Sequence, residues 1–380
     1  MTYKRYCITF LVLFVTALAT YGACAEWMLH RLNETYVGDD AAVAMQLEED
    51  ALYASALTGD IGFLKYGVIS KIQPDIIALG TSRTMQFRAP FFKNSVFYTA
   101  GGIGDSVDAM AECFEYICRS YVPGIIILAV DWDWLNPNYR HQSVQYGFRK
   151  GEALASRIYL YKCLYGELLK NRNVRAQVIR PEISKRDIIG NRLTIGLMAG
   201  AKNEGFRRDG SYQVGDLILS PQSKEKRLSD THKRIREGNR RFERADHIDE
   251  AELLKLESLI DKMQRRGCHV IVLLPPFPNE IYQTLMESEG HRGFILDFEK
   301  TVHDLCSVRD IPFYDFTNMA WLNASDEEAL DGFHASERTY GRITLQMKSD
   351  PVIRPYVDEK FIEACMVSSD NLFQIVPPDM

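Results

Sequence analysis

Hydrophobic and polar positions along this chain fall into two alternating patterns. Continuous apolar runs bounded by proline or glycine read as buried parallel strands, and apolar stripes recurring every three or four residues read as helices packed on them. The runs are Asp75-Ile76-Ile77-Ala78-Leu79 between Pro74 and Gly80, then Val96-Phe97-Tyr98, Gly124 to Val130, His269 to Leu274 ahead of Pro275-Pro276, and Pro312 to Phe316. One stripe, Val107, Met110, Phe114 and Ile117, is opened by Ser106 as an N-cap and runs through Tyr121. A second, Leu253, Leu256, Ile260 and Met263, ends at Gly267. A helix from about Gly293 to Val308 and a closing helix from Ser336 to Lys348 complete the series. Strand and helix in alternation predict an α/β fold with a parallel sheet, arranged as a three-layer flavodoxin-like sandwich.

The pattern breaks in three places, and the breaks suggest the domain organisation. From residue 136 to 247 periodicity is lost, which reads as an insertion or cap holding a tyrosine-rich helix around Ile158 to Tyr165 and a turn at Arg208-Asp209-Gly210-Ser211. It divides the α/β core into 71–135 and 248–350, and 351–380 follow as a C-terminal tail. At the other end Lys4 and Arg5 precede an uncharged stretch from Tyr6 to Ala25, about the length that crosses a bilayer. Positive charge on the short leading side predicts that residue 1 stays inside the cytoplasmic membrane and that the remainder lies outside it, in a periplasm-like space. Residues 1–28 are thus a transmembrane signal anchor, and 29–70 a helical juxtamembrane connector with Glu48-Glu49-Asp50 on its solvated face. Ala23-Cys24-Ala25 offers an alternative, cleavage by signal peptidase; apolar Trp27, Met28 and Leu29 extend the stretch past that site and favour the anchor. Lipidation of Cys24 fits poorly with Tyr21 three positions earlier.

Candidate chemistry sits at two strand ends. Gly80-Thr81-Ser82-Arg83 directly follows the first strand, so Ser82 lies at the carboxyl edge of the sheet, where open α/β folds bind ligands. A serine hydroxyl needs an adjacent base, and the base needs a partner that fixes its tautomer. Asp331-Gly332-Phe333-His334 supplies both, with His334 as base and Asp331 as orienting carboxylate. Each motif alone also fits an ordinary turn or a helix cap; their joint presence in this order favours the triad.

With those blocks in view, the chain resembles the SGNH hydrolase superfamily. Thr99-Ala100-Gly101-Gly102-Ile103-Gly104-Asp105-Ser106 is similar to that family's glycine loop and makes Gly104, with Ser82, the backbone donor to an oxyanion. Glycine suits that position because it permits positive φ and a close backbone approach. The third block departs from the family: Asp131-Trp132-Asp133-Trp134 stands where Gly-x-Asn-Asp is usual, so Trp132 replaces the asparagine donor while Asp133 can stand for the aspartate. With the anchor and the Asp-Gly-x-His-x-Ser-Glu ending, the chain looks like a divergent, membrane-anchored branch that includes D-alanyl-lipoteichoic acid transfer proteins and exopolysaccharide O-acetylation proteins. The resemblance implies a serine-dependent acyltransferase or esterase, a membrane-bound O-acyltransferase as acyl supplier, and a cell-envelope polysaccharide as acceptor. Two other functions stay open: a degenerate glycan-binding or scaffold partner, motivated by Trp132, and a hydrolytic deacetylase or lipase-like enzyme. Arg83 either binds a carboxylate or phosphate of the substrate or forms a structural ion pair. Trp132 either walls the site against water or turns into the core, leaving Asp131 or Asp133 to line the cleft.

Composition adds limits. The 380 residues are 46% hydrophobic and 25% charged with a formal net charge of -6, which gives no reason to expect nucleic acid. Zinc, Walker and dinucleotide signatures are lacking, so no cofactor is expected. Asp105, Asp131, Asp133 and Asp331 could meet around a metal, but loop aspartates at strand ends usually cap helices. Lys224 to Asp246 carries nine Lys or Arg against five Asp or Glu, read as a solvated helix with i, i+4 pairs or as a contact surface for lipid phosphate or an anionic polymer. Cys113 and Cys118 are five apart on one helix and point to different faces, which argues against a bridge. His269 reads as a strand-edge residue.

Overall fold

The computed structural model describes residues 3–34, 40–56, 61–139, 154–181 and 186–378. The chain forms two compact units, Met1–Asp60 with Phe148–Arg208, and Ile61–Gly147 with Asp209–Met380.

The larger unit is α/β. Its sheet holds β1 (Ile76–Leu79), β2 (Phe97–Thr99), β3 (Ile125–Ala129), β4 (His269–Leu274) and β5 (Phe313–Asp315), in the order β2-β1-β3-β4-β5. Every pair is parallel, with Ile77 opposite Tyr98 and Ile126, Ile126 opposite Val270, and Leu273 opposite Tyr314. Strands covered on both faces need apolar side chains in both alternating sets, which explains the unbroken runs. Ile76, Ala78, Ile125, Ile127, Ala129, Ile271 and Leu273 pack with Tyr340, Ile343, Met347 and Ile362 of two C-terminal helices, Glu337–Met347 and Glu359–Ser368. The alternate set, including Ile77, Ile126 and Val272, points to the other face. Helix Glu250–Arg265 packs on β4, and helix Val107–Ile117 packs beside it.

Strand order reverses at β1, because β2 lies on one side of it and β3, β4 and β5 on the other. The crevice beyond the carboxyl ends of β1 and β3 is the place where such sheets bind ligands.

Several boundaries differ from those drawn on the sequence. The connector 29–70 is divided: helix Gly62–Ile72 belongs to the sheet unit, with Phe63, Leu64, Tyr66, Val68 and Ile69 buried and the Tyr66 ring 4.3 Å from Tyr116. The stretch 136–247 is divided too, since Asp209 onward joins the sheet unit and buries Leu228, Ile235 and Phe242. The tail 351–380 is core: Ile362, Phe373, Ile375 and Val376 are buried, and Ile375 and Val376 donate backbone N–H groups to Glu337 Oε1 at 2.8 and 2.6 Å. The helix expected to reach Tyr121 ends at Ile117. All eight cysteines are free thiols, Cys113 and Cys118 among them. His269 stands at the start of β4, 3.1 Å from Asp350.

In the smaller unit, helix Tyr3–Arg31 is long and apolar enough to cross a membrane: an 18-residue window has mean hydropathy 2.0 and none of it is buried. Its C-terminal end is covered. Ala25, Leu29 and Leu32 pack with Leu160, Leu164, Val174, Val178 and Leu197.

Candidate active site

The turn after β1 is built to present Ser82. Gly80 leaves the strand where a Cβ would lie 2.6 Å from Thr84 Cγ2 and 3.0 Å from Ala129 Cβ, so a larger residue would push the turn off β3. Thr81 caps one 3-10 turn, Ser82–Thr84: its hydroxyl accepts from Arg83 N–H at 3.2 Å and donates to Asp131 Oδ2 at 2.5 Å. Ser82 Oγ is then 2.8 Å from His334 Nε2 across a separation of 252 residues. That distance is within hydrogen-bond reach of a nucleophile and its base.

His334 is held by its own loop. Asp331 Oδ1 accepts the backbone N–H groups of Phe333 and His334, both at 2.7 Å, and Asp331 Oδ2 lies 2.9 Å from His334 Nδ1. Leu330 N–H closes the loop onto His334 O at 2.9 Å. Gly332 is required there, since a Cβ would meet Thr231 at 2.4 Å. Partial burial pushes the Asp331 carboxyl up, but the imidazole charge and these hydrogen bonds outweigh it and hold it at about 2. An ionised Asp331 at Nδ1 leaves Nε2 as the acceptor facing Ser82, the tautomer a general base requires.

The glycine loop after β2 lies against the same turn. Gly102 N–H donates to Gly80 O at 3.1 Å, and a Cβ on Gly101 would lie 2.3 Å from Thr84 Oγ1. Positive φ in this loop belongs to Gly102, at +80°, and not to Gly104. Gly104 is buried, and among the described residues neither its N–H nor that of Ser82 donates to a protein group. Beneath the loop is a lysine that the sequence reading passed over. Lys65 donates to the carbonyls of Thr99, Gly101 and Gly210 at 3.0, 2.6 and 2.9 Å, and its burial lowers its pKa to about 7. The available signal was a lysine set inside the apolar run Gly62-Phe63-Leu64-Lys65-Tyr66.

Three residues assigned to substrate take other positions. Arg83, 2% exposed, pairs with Asp131 at 2.8 Å, donates to Pro275 O at 2.8 Å and stacks over Phe277 and Phe333. Its partners are internal, so the structural ion pair is the alternative that holds. Trp132, 3% exposed, packs against Phe242 at 5.4 Å and against Phe277, His291 and Phe294 at about 6 Å, so it is core and not a wall facing solvent. Asp133 is fully buried and accepts from Arg241 Nη1 at 2.6 Å. The four aspartates weighed as metal ligands each have a partner of another kind: Asp131 has Arg83, Asp133 has Arg241, Asp331 has His334, and Asp105 accepts from the Tyr139 hydroxyl at 3.1 Å.

Arg241 is the second residue the sequence reading missed. It lies in the basic stretch read as a solvated helix, but that helix is Lys224–Glu237 and stops four residues before it. Arg240 and Arg241 then take positive φ, 54° and 82°, a conformation that costs about 1 to 3 kcal/mol for each non-glycine residue. The guanidinium ends 5.5 Å from the Tyr139 ring, 5.7 Å from the Phe333 ring and 3.6 Å from Asp105. It is 21% exposed, and Nη2 lies beyond hydrogen-bond range of Asp105. Within the same stretch Arg234 pairs with Asp230 at i, i+4, as a solvated helix predicts, whereas Arg227 is buried and donates to Ala329 O at 3.0 Å.

Compared with models of known protein families and with curated proteins, the chain matches none. The chemical reading therefore rests on the geometry. A serine hydroxyl, an imidazole and an ionised carboxylate stand in line at a sheet switch point, and among the described residues the backbone N–H groups of Ser82 and Gly104 have no protein acceptor. Such a set can take a proton from serine, carry an acyl group on its oxygen, and return the proton to a leaving group.

Proposed function

We propose that this chain is a membrane-anchored, SGNH-like serine acyltransferase or esterase that acts on O-acyl groups of a cell-envelope polysaccharide. The observation that carries the reading is the Ser82–His334–Asp331 line, 2.8 Å and 2.9 Å in its two steps. The sheet order β2-β1-β3-β4-β5 supports a flavodoxin-like SGNH core, since that order is one of the two common doubly wound arrangements. Lys4 and Arg5 ahead of the uncharged stretch of helix Tyr3–Arg31 support an extracytoplasmic site.

In this reading Ser82 Oγ attacks the acyl carbonyl while its proton passes to His334 Nε2. The backbone N–H groups of Ser82 and Gly104 receive the oxyanion. The tetrahedral species collapses with loss of the donor's alcohol or thiol, which takes the proton back from His334, and the acyl group stays on Ser82. A glycan hydroxyl then attacks the ester, His334 accepts its proton, and Ser82 leaves as the restored alcohol. A membrane-bound O-acyltransferase is the supplier that the resemblance implies. A second reading, hydrolysis with water as acceptor, is favoured by the burial of Trp132, because no aromatic wall from that residue excludes water.

The test is labelling by a fluorophosphonate probe, followed by product analysis with glycan and water in competition. Stoichiometric labelling at Ser82, lost in Ser82→Ala, is the expected result. An unlabelled Ser82 in folded protein would move the assignment to a glycan-binding or scaffold role. Acyl-glycan or free acid as the main product then separates transfer from hydrolysis.

A further inference from the structure

The tyrosine-rich helix is set against the membrane-length helix at a particular height. Within the smaller unit, Glu26 of helix Tyr3–Arg31 accepts from Arg157 Nε at 2.7 Å and from the Tyr161 hydroxyl. Five residues earlier on the same helix, the Tyr21 ring stacks on Tyr165 at 4.7 Å and meets Tyr161 edge-on at 6.1 Å. As helix Leu154–Lys170 advances from 157 to 165, its partner runs back from 26 to 21, so the two are antiparallel. The chain then turns at Asn171, which caps helix Arg172–Ile179, and that helix returns to Arg31, whose guanidinium donates to Val178 O and Ile179 O. The result is a helical hairpin lying along residues 21–31, with its tip at Leu168 to Arg172.

If the uncharged run begins at Tyr6, the ~17 residues that suffice for a span place the outer hydrocarbon boundary near Gly22. Tyr21 and its partner Tyr165 then lie at that boundary, where aromatic rings are enriched, and Leu169, four residues further along the antiparallel helix, lies about 6 Å inside it. The surface of the hairpin fits that position. Leu169, at the tip, is 83% exposed. The hairpin carries five Lys or Arg, at 157, 162, 170, 172 and 175, against Glu167 alone, in a chain whose net charge is -6. Lys170 and Arg172 flank Leu169 at the tip, and Arg175 Nη1 donates to Leu168 O and Leu169 O at 2.7 and 3.1 Å. An apolar tip ringed by basic side chains long enough to reach the phosphates is the pattern of a segment seated at a headgroup and acyl boundary.

We propose that the hairpin 154–179 is a second membrane contact, inserting Leu169 into the outer leaflet beside the anchor while Lys170 and Arg172 bind anionic phospholipid headgroups. The proposal rests on the anchor reading given above and is independent of the triad. It gives the smaller unit a role, to fix the unit's orientation on the bilayer by two points of contact where one helix alone would leave it free to rotate.

The test uses the full chain in nanodiscs of mixed phosphatidylcholine and phosphatidylglycerol, with a benzophenone amino acid replacing Leu169, Leu18 or Val308 in turn. Leu18 reports the anchor, and Val308, 83% exposed in the sheet unit, reports an aqueous surface. Capture of lipid from positions 18 and 169 but not 308 is the expected result. Lipid capture at 18 without capture at 169 overturns the proposal and leaves the anchor standing; no capture at 18 overturns both. Phosphatidylglycerol should be enriched among the adducts at 169, and Lys170→Glu with Arg172→Glu should reduce that enrichment by about fivefold for each basic residue lost. Unchanged lipid selectivity in that variant would remove the headgroup part of the proposal.

Discussion

After β1 the chain makes one 3-10 turn, Ser82–Thr84, and after the neighbouring β3 it makes another, Trp132–Leu135. Both follow a buried apolar strand, and both sit at the carboxyl edge beside the switch point. Their fates differ. The first leaves Ser82 half-exposed against a 29% exposed imidazole, whereas the second buries all four of its residues. The strands do not make that difference. It comes from what is laid on top: the Asp331 loop approaches the first turn with a polar ring, and Phe242, His291 and Phe294 close over the second with apolar surface. Exposure at a strand end is thus decided by distant segments, and the same local geometry leaves a serine beside an imidazole in one case and is packed into the core in the other.

The sharpest way to separate the two turns is to substitute each and read both activity and stability. Ser82→Ala should abolish probe labelling and acyl transfer, a loss on the order of 10^6-fold for a serine triad, while shifting stability by no more than about 0.5 kcal/mol. Trp132→Asn should do the reverse. Removing a buried indole and placing an amide in the aromatic cluster should cost about 3 to 5 kcal/mol in a urea titration, a large part of a typical total stability. Its residual activity, measured well below the new melting midpoint, should stay near that of the parent. Faster ester hydrolysis in folded Trp132→Asn protein would mean that the second turn faces substrate after all.

A smaller effect probes the ion pair beneath the second turn. Arg241→Met leaves the Asp133 carboxylate buried without its cation and should cost about 3 kcal/mol, the low end for a broken buried pair because Arg241 is partly exposed. Adding Asp133→Asn should recover part of that loss, measured as a coupling energy in a double-mutant cycle. An additive cycle would show that the two side chains do not act as a pair.

The contrast also explains what could be read in advance. The approach of Ser82, His334 and Asp331 was legible because each half is local: Gly80-Thr81-Ser82 makes its own turn, and Asp331 reaches His334 within three residues. The strands were legible because burial on both faces demands unbroken apolar runs. Arg241 was not, since its partner Asp133 is 108 residues away and its own neighbours form a charged run typical of a solvated helix. Phe242 beside it, the aromatic within that run, was the nearest sign of burial. Trp132 offered two directions by strand alternation, and only the segments at 242 and 291–294 choose between them. The tail was misread for a related reason: Phe373-Gln374-Ile375-Val376 is an apolar run too short for a core strand, and its burial depends on Glu337 receiving its backbone N–H groups.

The smallest expected effect is a difference in how the two carboxylates respond to pH. Asp331 is held at about 2, below the ordinary unfolded value of about 4, so the unfolded chain binds more protons than the native one in that interval. Its contribution to stability is therefore complete above about pH 4 and is lost as pH falls toward 2. The side chain is half-exposed, and solvent screening keeps this contribution modest. Asp133 is opposite in sign: burial pushes its carboxyl up against the pull of Arg241, so the native state holds the proton longer, and stability declines as pH rises above about 4. Urea midpoints measured from about pH 2 to pH 7 should rise and then fall. Asp331→Asn should flatten the rising limb and leave the fall, and Asp133→Asn should do the converse. A rising limb unchanged in Asp331→Asn would mean that other carboxylates dominate acid unfolding and that the His334 loop contributes nothing measurable to it.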